Sequence, residues 1–170
     1  MPGSERDDEV DLLIDAWSQR LPGVDLTPLD VMSRLRRVAA RLSRLRAGAF
    51  RVARLAAWEF DVLAALRRAD PPHQLSPAQL IEATMTSSAG MSARLASLME
   101  RGLIERERNP RDGRSVLVRL TDEGAARVDS AMRELARREE EALAPLGDRE
   151  RAALVHLLRL LMTDGPDARS

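Results

Sequence analysis

The segment from Ser76 to Leu120 constrains the fold more than any other part of the chain. Ser76-Pro77-Ala78-Gln79 has a hydroxyl at the N-cap, Pro at N1 and Gln at N3, which predicts a helix start with a capping box. A second helix is predicted from Ser88 to Arg101, where Gly102 supplies the left-handed stop that helix C-termini favour. Leu103-Ile104-Glu105-Arg106 and Val116-Leu117-Val118-Arg119-Leu120 have the β-branched and aliphatic content of paired strands. Between them lies Asn109-Pro110-Arg111-Asp112-Gly113-Arg114-Ser115, a polar turn carrying two Arg. Helix, turn, helix and basic hairpin in this order predict a winged helix-turn-helix, a module that binds DNA.

Charge and cysteine content narrow the class. The 170-residue chain can bury one good core, alone or with extensions. Its formal net charge of +0 does not by itself mark a nucleic-acid binder. The charge is unevenly placed, with Glu5, Asp7, Asp8, Glu9, Asp11 and Asp15 near the N-terminus and Arg-rich runs at 34–54 and 94–119. All the Lys/Arg positions are Arg, which suits bidentate phosphate contacts. The absence of Cys excludes disulfides, thiolate metal sites and a cysteine redox switch. With no signal peptide and no run of about 20 apolar residues, the expected location is the cytoplasm, without membrane association.

Flanking helices complete a mainly α (α+β) chain. Val10, Leu13, Ile14 and Trp17 lie on one face of a short helix that ends near Arg20, before Leu21-Pro22-Gly23. Thr27, read as an N-cap with Pro28 at N1, opens a long helix with a heptad-like seam at Val31, Leu35, Val38, Leu42, Leu45, Ala49 and Val52. Its Arg residues lie mostly off the seam and read as a solvated face, with direct phosphate contact as the alternative. Trp58 to Ala69 forms the next helix, ended by Asp70-Pro71-Pro72-His73. Thr121-Asp122-Glu123 caps a long helix to about Leu143, and Asp148 is placed to cap a last one to about Thr163. That last helix is apolar around most of its circumference and must be covered on several sides. The simplest solution is a homodimer in which N- and C-terminal helices of two chains interlock, which also suits paired DNA half-sites.

Within the module, Met91, Leu95 and Leu98 form the buried face of the second helix. Ala89, Ala93 and Ala96 form its outward face, with Ser92 and Ser97 at the edges. No Arg, Asn or Gln projects from the centre of that face, so methyl groups, hydroxyls and DNA shape must do much of the reading. The alternative is a small-residue face packed against protein. The candidate DNA contacts are Ser76, Thr86, Ser88, Ala89, Ser92, Ala93 and Ser97, with Arg111 and Arg114 of the wing reaching the minor groove or its phosphates. A solvated turn is the alternative for the wing. Arg94 sits on the flank of the apolar face, and a cation there needs a partner. Asp61 is the candidate, either as a structural ion pair or as half of a switch opened by an anionic ligand. His73 and His156 lack nucleophile or ligand companions, and there is no phosphate-binding Gly-rich loop. No enzyme activity, cofactor or metal is therefore expected.

Residues 75–124 resemble the MarR family of bacterial transcription regulators. The resemblance is carried by Glu100-Arg101-Gly102-Leu103-Ile104-Glu105-Arg106, Arg111-Asp112-Gly113-Arg114 and Val116 to Gly124, and the helix order extends it over nearly the whole chain. Trp17 in an added first helix, Trp58-Glu59-Phe60-Asp61-Val62-Leu63 and Arg94 resemble the urate-responsive, PecS-like subgroup. That resemblance implies a small-molecule pocket to which Trp17, Asp61 and Arg94 contribute, between the added helix and the DNA-binding lobe, with Trp17 able to stack on a flat ring. The pattern is departed from in three places. Ala93 stands where relatives often have Asn, Gly113 interrupts what is often a basic run, and Arg54-Leu55-Ala56 replaces a Gly-containing turn.

Together these readings give residues 1–55 as N-terminal helices for dimerisation and the pocket. Residues 56–120 form the winged helix-turn-helix lobe and 121–170 the C-terminal dimerisation helices. The expected function is a homodimeric regulator, a repressor of a pseudo-palindromic operator in double-stranded DNA, released by a small anionic aromatic ligand such as urate or a phenolic acid. Two rivals stand beside it: a winged-helix regulator without a ligand, and a protein–protein interaction module on the same scaffold.

Overall fold

The computed structural model describes residues 8–109, 112 and 115–163. Its elements are α1 (Glu9–Arg20), α2 (Thr27–Val52), α3 (Ala57–Arg68), β1 (Gln74–Leu75), α4 (Pro77–Thr84) and α5 (Ser88–Glu100), then β2 (Ile104–Arg108), β3 (Val116–Leu120), α6 (Asp122–Leu143) and α7 (Asp148–Met162). Contacts divide the chain into two compact units between Arg46 and Ala47.

In the first unit, opposite charges join α1 to α2. Asp8 caps α1, accepting from the Val10 N–H at 2.7 Å, while its own N–H donates to the Asp11 carboxylate at 2.7 Å. Asp thus completes a capping box that usually uses Glu or Gln. Arg34 of α2 donates to Asp8 at 2.9 Å and to Asp11 at 2.8 Å, also reaches Asp30, and Arg37 pairs with Glu9. The acidic N-terminus and the Arg-rich helix are therefore complementary, and these two Arg are not simply solvated. Thr27 is not the N-cap of α2 but its first helical residue. The Asp25 carboxylate accepts its N–H at 3.0 Å, so the start shifts by one position and Pro28 still occupies the first turn, where no N–H is needed. Val31, Val38 and Leu42 of the predicted seam are exposed.

The second unit is built on apolar packing around α3. Phe50 and Phe60 stack with centroids 4.1 Å apart, and Leu63, Leu66, Leu80, Met91, Leu95, Leu98, Leu103 and Val118 are fully buried. The junction after α2 closes without glycine. Leu55 N–H donates to the Phe50 carbonyl at 3.0 Å and Arg54 N–H to the Arg51 carbonyl at 3.0 Å, with Arg54 at φ 55°. This is the Schellman pattern with Arg at the left-handed position. The three strands form an antiparallel sheet in the order β1-β3-β2, with Ile104 opposite Leu120 and Arg108 opposite Val116. The two-residue β1 pairs Gln74 with Arg119 and is too short to be read from sequence. At the last helix Gly147, not Asp148, is the N-cap, its N–H held by the Glu150 carboxylate at 2.7 Å. α7 buries no residue within the chain, and Leu157 and Leu160 are 56% and 57% exposed.

Candidate nucleic-acid interface

The recognition helix is framed by hydroxyls. Ser76 caps α4, accepting the Gln79 N–H at 3.3 Å while its own N–H donates to Gln79 Oε1 at 2.8 Å. Ser87 caps α5 by accepting the Gly90 N–H at 3.2 Å. The helix buries Met91, Leu95 and Leu98 and leaves Ser88, Ala89, Ser92, Ala93 and Ala96 exposed and Ser97 half-buried, the two faces expected from spacing. Between the helices Met85 takes a left-handed backbone with φ 50° and is 95% exposed.

Arg94 corrects one expectation. The Asp61–Arg94 ion pair is not formed, and Asp61 is exposed on α3. Arg94 Nη1 instead donates to Thr86 Oγ1 at 2.7 Å, and its guanidinium lies 5.6 Å from the centre of the Trp58 ring. The physical reason lies one turn earlier in α3: Trp58 offers a π face to a planar cation, and a hydroxyl supplies the acceptor. Among the described residues Arg94 has no carboxylate partner, and the Thr86 hydroxyl is engaged within the module. Trp58 belongs to the run that carries the subgroup resemblance but was not selected as a site residue, although its position one turn before Asp61 was the available signal. Trp17 is exposed on α1, beside Leu13, Ala16 and Arg20.

The wing divides its charges by face. Glu105 pairs with Arg119, and Glu107 lies 2.8 Å from Arg119 Nε, so this Arg is committed to the sheet. Arg106 and Arg108 alternate to the other face and are exposed, adding two cations that the sequence reading did not select. Arg111 and Arg114 lie outside the described residues.

The base of α5 explains why its flanking motifs have their composition. Gly102 takes φ 67°, while Gly102 N–H and Leu103 N–H donate to the carbonyls of Met99 at 2.9 Å and Leu98 at 3.0 Å. Thr121 Oγ1 donates to the Gly102 carbonyl at 2.9 Å and accepts the Gly124 N–H at 3.0 Å, tying the start of α6 to this turn. A Cβ on Gly124 would stand 2.1 Å from the Leu103 carbonyl oxygen, so only glycine fits. A second tie was missed: Glu59, 4% exposed, receives Arg101 Nη1. An acid between Trp58 and Phe60 in an apolar helix was the signal for it.

Among the described residues no His, Cys, Asp or Glu cluster could hold a metal, and no helix is long and apolar enough to cross a membrane. His73 bonds the Ala69 carbonyl at 2.8 Å and Arg67 at 2.9 Å, and His156 is exposed.

Comparison with known proteins agrees with this geometry. The family model of the MarR family matches residues 55–115. The chain is 34% identical over 150 residues to the HTH-type transcriptional regulator PecS of Dickeya dadantii (strain 3937), covering 88% of this chain and 90% of that protein. It is 30% identical over 149 residues to the HTH-type transcriptional repressor NicR of Pseudomonas putida, covering 85% and 92%. The structure of Bordetella bronchiseptica BpsR, described for regulation of its DNA binding by 6-hydroxynicotinic acid, matches with TM-score 0.64 and 29% identity over 79% of this chain and 94% of that one. A mutant E. coli MarR complexed with operator DNA matches with TM-score 0.65 and 27% identity over 81% and 96%. The relatives are transcription regulators and not enzymes, and the chain is not an enzyme. It belongs to the MarR family of transcription regulators.

Proposed function

We propose that the protein is a homodimeric repressor of a pseudo-palindromic operator in double-stranded DNA, released by a small anionic aromatic ligand. Residues 56–120 are assigned to DNA, and 1–55 and 121–170 to dimerisation, with the first of these also serving the ligand site. The protein then works in the cytoplasm, where its operator lies.

The observation that carries the ligand reading is the state of Arg94. A half-buried guanidinium on the recognition helix rests on a ring and a neutral hydroxyl, with no carboxylate among the described residues to balance it. An anion entering here gains a charge-assisted partner without displacing a strong one. The flat Trp58 ring beside it favours an aromatic ligand. Trp17, Asp61 and Arg94 are the proposed ligand residues. The BpsR comparison adds a flat aromatic acid as a precedent within the family. Urate and simple phenolic acids share that chemistry. For a tenfold fall in DNA affinity the ligand need favour the released state by only about 1.4 kcal/mol.

DNA contact is assigned to Ser76, Thr86, Ser88, Ala89, Ser92, Ala93 and Ser97 of the helices and to Arg111 and Arg114 of the wing. The exposed face of small side chains suits close approach in the major groove, with thymine methyls and hydroxyl contacts. The exposed Arg106 and Arg108 add phosphate affinity. Dimerisation rests on the uncovered apolar residues of α2 and α7. Selection of bound duplexes from a random-sequence pool tests the DNA reading. Enrichment of an inverted repeat with half-sites about one helical turn apart is expected, and enrichment of nothing rejects it.

A further inference from the structure

We propose that Glu59 and Arg101 are a positioning pair, a fixed pivot that sets the angle of α5 while the more loosely held part of the helix around Arg94 moves. The inference rests on the reading of α5 as the helix that enters DNA, and it concerns residues outside the proposed ligand and DNA contacts.

Glu59 is buried, 4% exposed, at the third position of α3. Its Oε2 accepts the Ala56 N–H at 2.8 Å and its Oε1 receives Arg101 Nη1. Arg101 Nη2 donates to the Arg54 carbonyl at 2.7 Å, at the left-handed turn that ends α2. One guanidinium therefore fastens the C-cap of α5 to two other elements. A carboxylate this buried is costly unless its cation stays in place, so the pair strongly resists displacement. Arg101 is also the residue before Gly102, where the Schellman turn locks the backbone.

Seven residues earlier, about 10 Å along the helix, Arg94 is held among the described residues by Thr86 and Trp58 alone. Trp58 and Glu59 are neighbours in the first turn of α3. That turn thus grips the recognition helix twice, hard at its end and softly near its middle. Movement of Arg94 then becomes rotation of α5 about Arg101 rather than its detachment, and the N-terminal half that meets DNA moves most.

The test uses Glu59→Gln, which keeps the acceptor for Ala56 and removes the charge, and Arg101→Lys, which cannot bridge Glu59 and the Arg54 carbonyl together. Affinity is read by fluorescence anisotropy on the duplex that wild type enriches from a random pool and on a scrambled duplex. The expected result is a loss of at least tenfold on the enriched duplex and less than twofold on the scrambled one, in both variants. Wild-type affinities, or equal losses on both duplexes, overturn the proposal. Amide hydrogen exchange on the DNA-free protein gives an independent reading should wild type enrich no duplex, an outcome that rejects the DNA assignment itself. Faster exchange confined to the last turn of α5 in Glu59→Gln is expected, and unchanged exchange there overturns the pivot.

Discussion

Thr86 lies in the turn before α5 and Arg94 near the middle of that helix, and a 2.7 Å hydrogen bond from guanidinium to hydroxyl joins them. With the Trp58 ring beneath it, this cation is anchored without being neutralised. Removing it should therefore separate DNA binding from ligand response. Arg94→Ala is expected to keep operator affinity within about threefold and to lose release by urate or 6-hydroxynicotinate, measured by anisotropy with each ligand titrated in. Trp58→Leu should act in the same direction, removing a contact of about 0.5–2 kcal/mol.

Gly124 offers a stability test independent of DNA. Its missing Cβ leaves room for the Leu103 carbonyl oxygen, which a methyl would meet at 2.1 Å. Gly124→Ala should destabilise by about 1–3 kcal/mol, the usual cost of forcing a group into packed space. Gly102→Ala meets no neighbouring atom but keeps a left-handed φ of 67°, so a cost of about 1–2 kcal/mol is expected from backbone strain alone. Urea unfolding of both variants checks the values.

The tie between α3 and α6 sets an acid-side pH dependence. Arg67 donates to Asp129 at 2.9 Å and 3.0 Å, and these hydrogen bonds, assisted by Arg133 and His73, hold the carboxyl below its usual 3.8. A depressed carboxylate contributes stability that is complete above its unfolded pKa and is lost as pH falls through the folded one. Asp129→Asn should lower the melting temperature at neutral pH, with a difference from wild type that shrinks as pH drops below 3.8. Because Arg67 is 39% exposed, solvent screening keeps the effect below about 1 kcal/mol.

The last helix should control assembly. Leu157 and Leu160, more than half exposed within the chain, are placed in the proposed dimer interface. Replacing both by Glu would bring carboxylates into that contact. The expected outcome by light scattering coupled to size exclusion is a dimer for wild type and a monomer for the double variant, with operator binding lost alongside. A double variant that remains dimeric removes α7 from the interface.

Much of this was legible because it is local. The Ser76–Gln79 capping box, Gly102 at the helix stop and Thr121 at the α6 start each depend on residues three to five apart, and the alternation of Met91, Leu95 and Leu98 with Ala89, Ala93 and Ala96 follows from helical period. What escaped depends on residues far apart in sequence. Arg94 had two acceptable neighbours on one helix, Trp58 and Asp61, and spacing could not choose between a ring and a carboxylate. Glu59 and Arg101 are 42 residues apart, and Arg54 could take the left-handed turn because Arg101 holds its carbonyl. The one-residue shifts at Thr27 and Gly147 arise where a nearby carboxylate, Asp25 or Glu150, captures an N–H at the helix start.

The most direct test of ligand-controlled repression is a gel shift on the DNA upstream of the protein's own coding region, with urate absent and then present. A retarded complex that weakens steeply with salt is expected, dissolving as urate rises for wild type and persisting for Arg94→Ala. A complex unaffected by urate, 6-hydroxynicotinate and simple phenolic acids, or equal responses from wild type and Arg94→Ala, would contradict it.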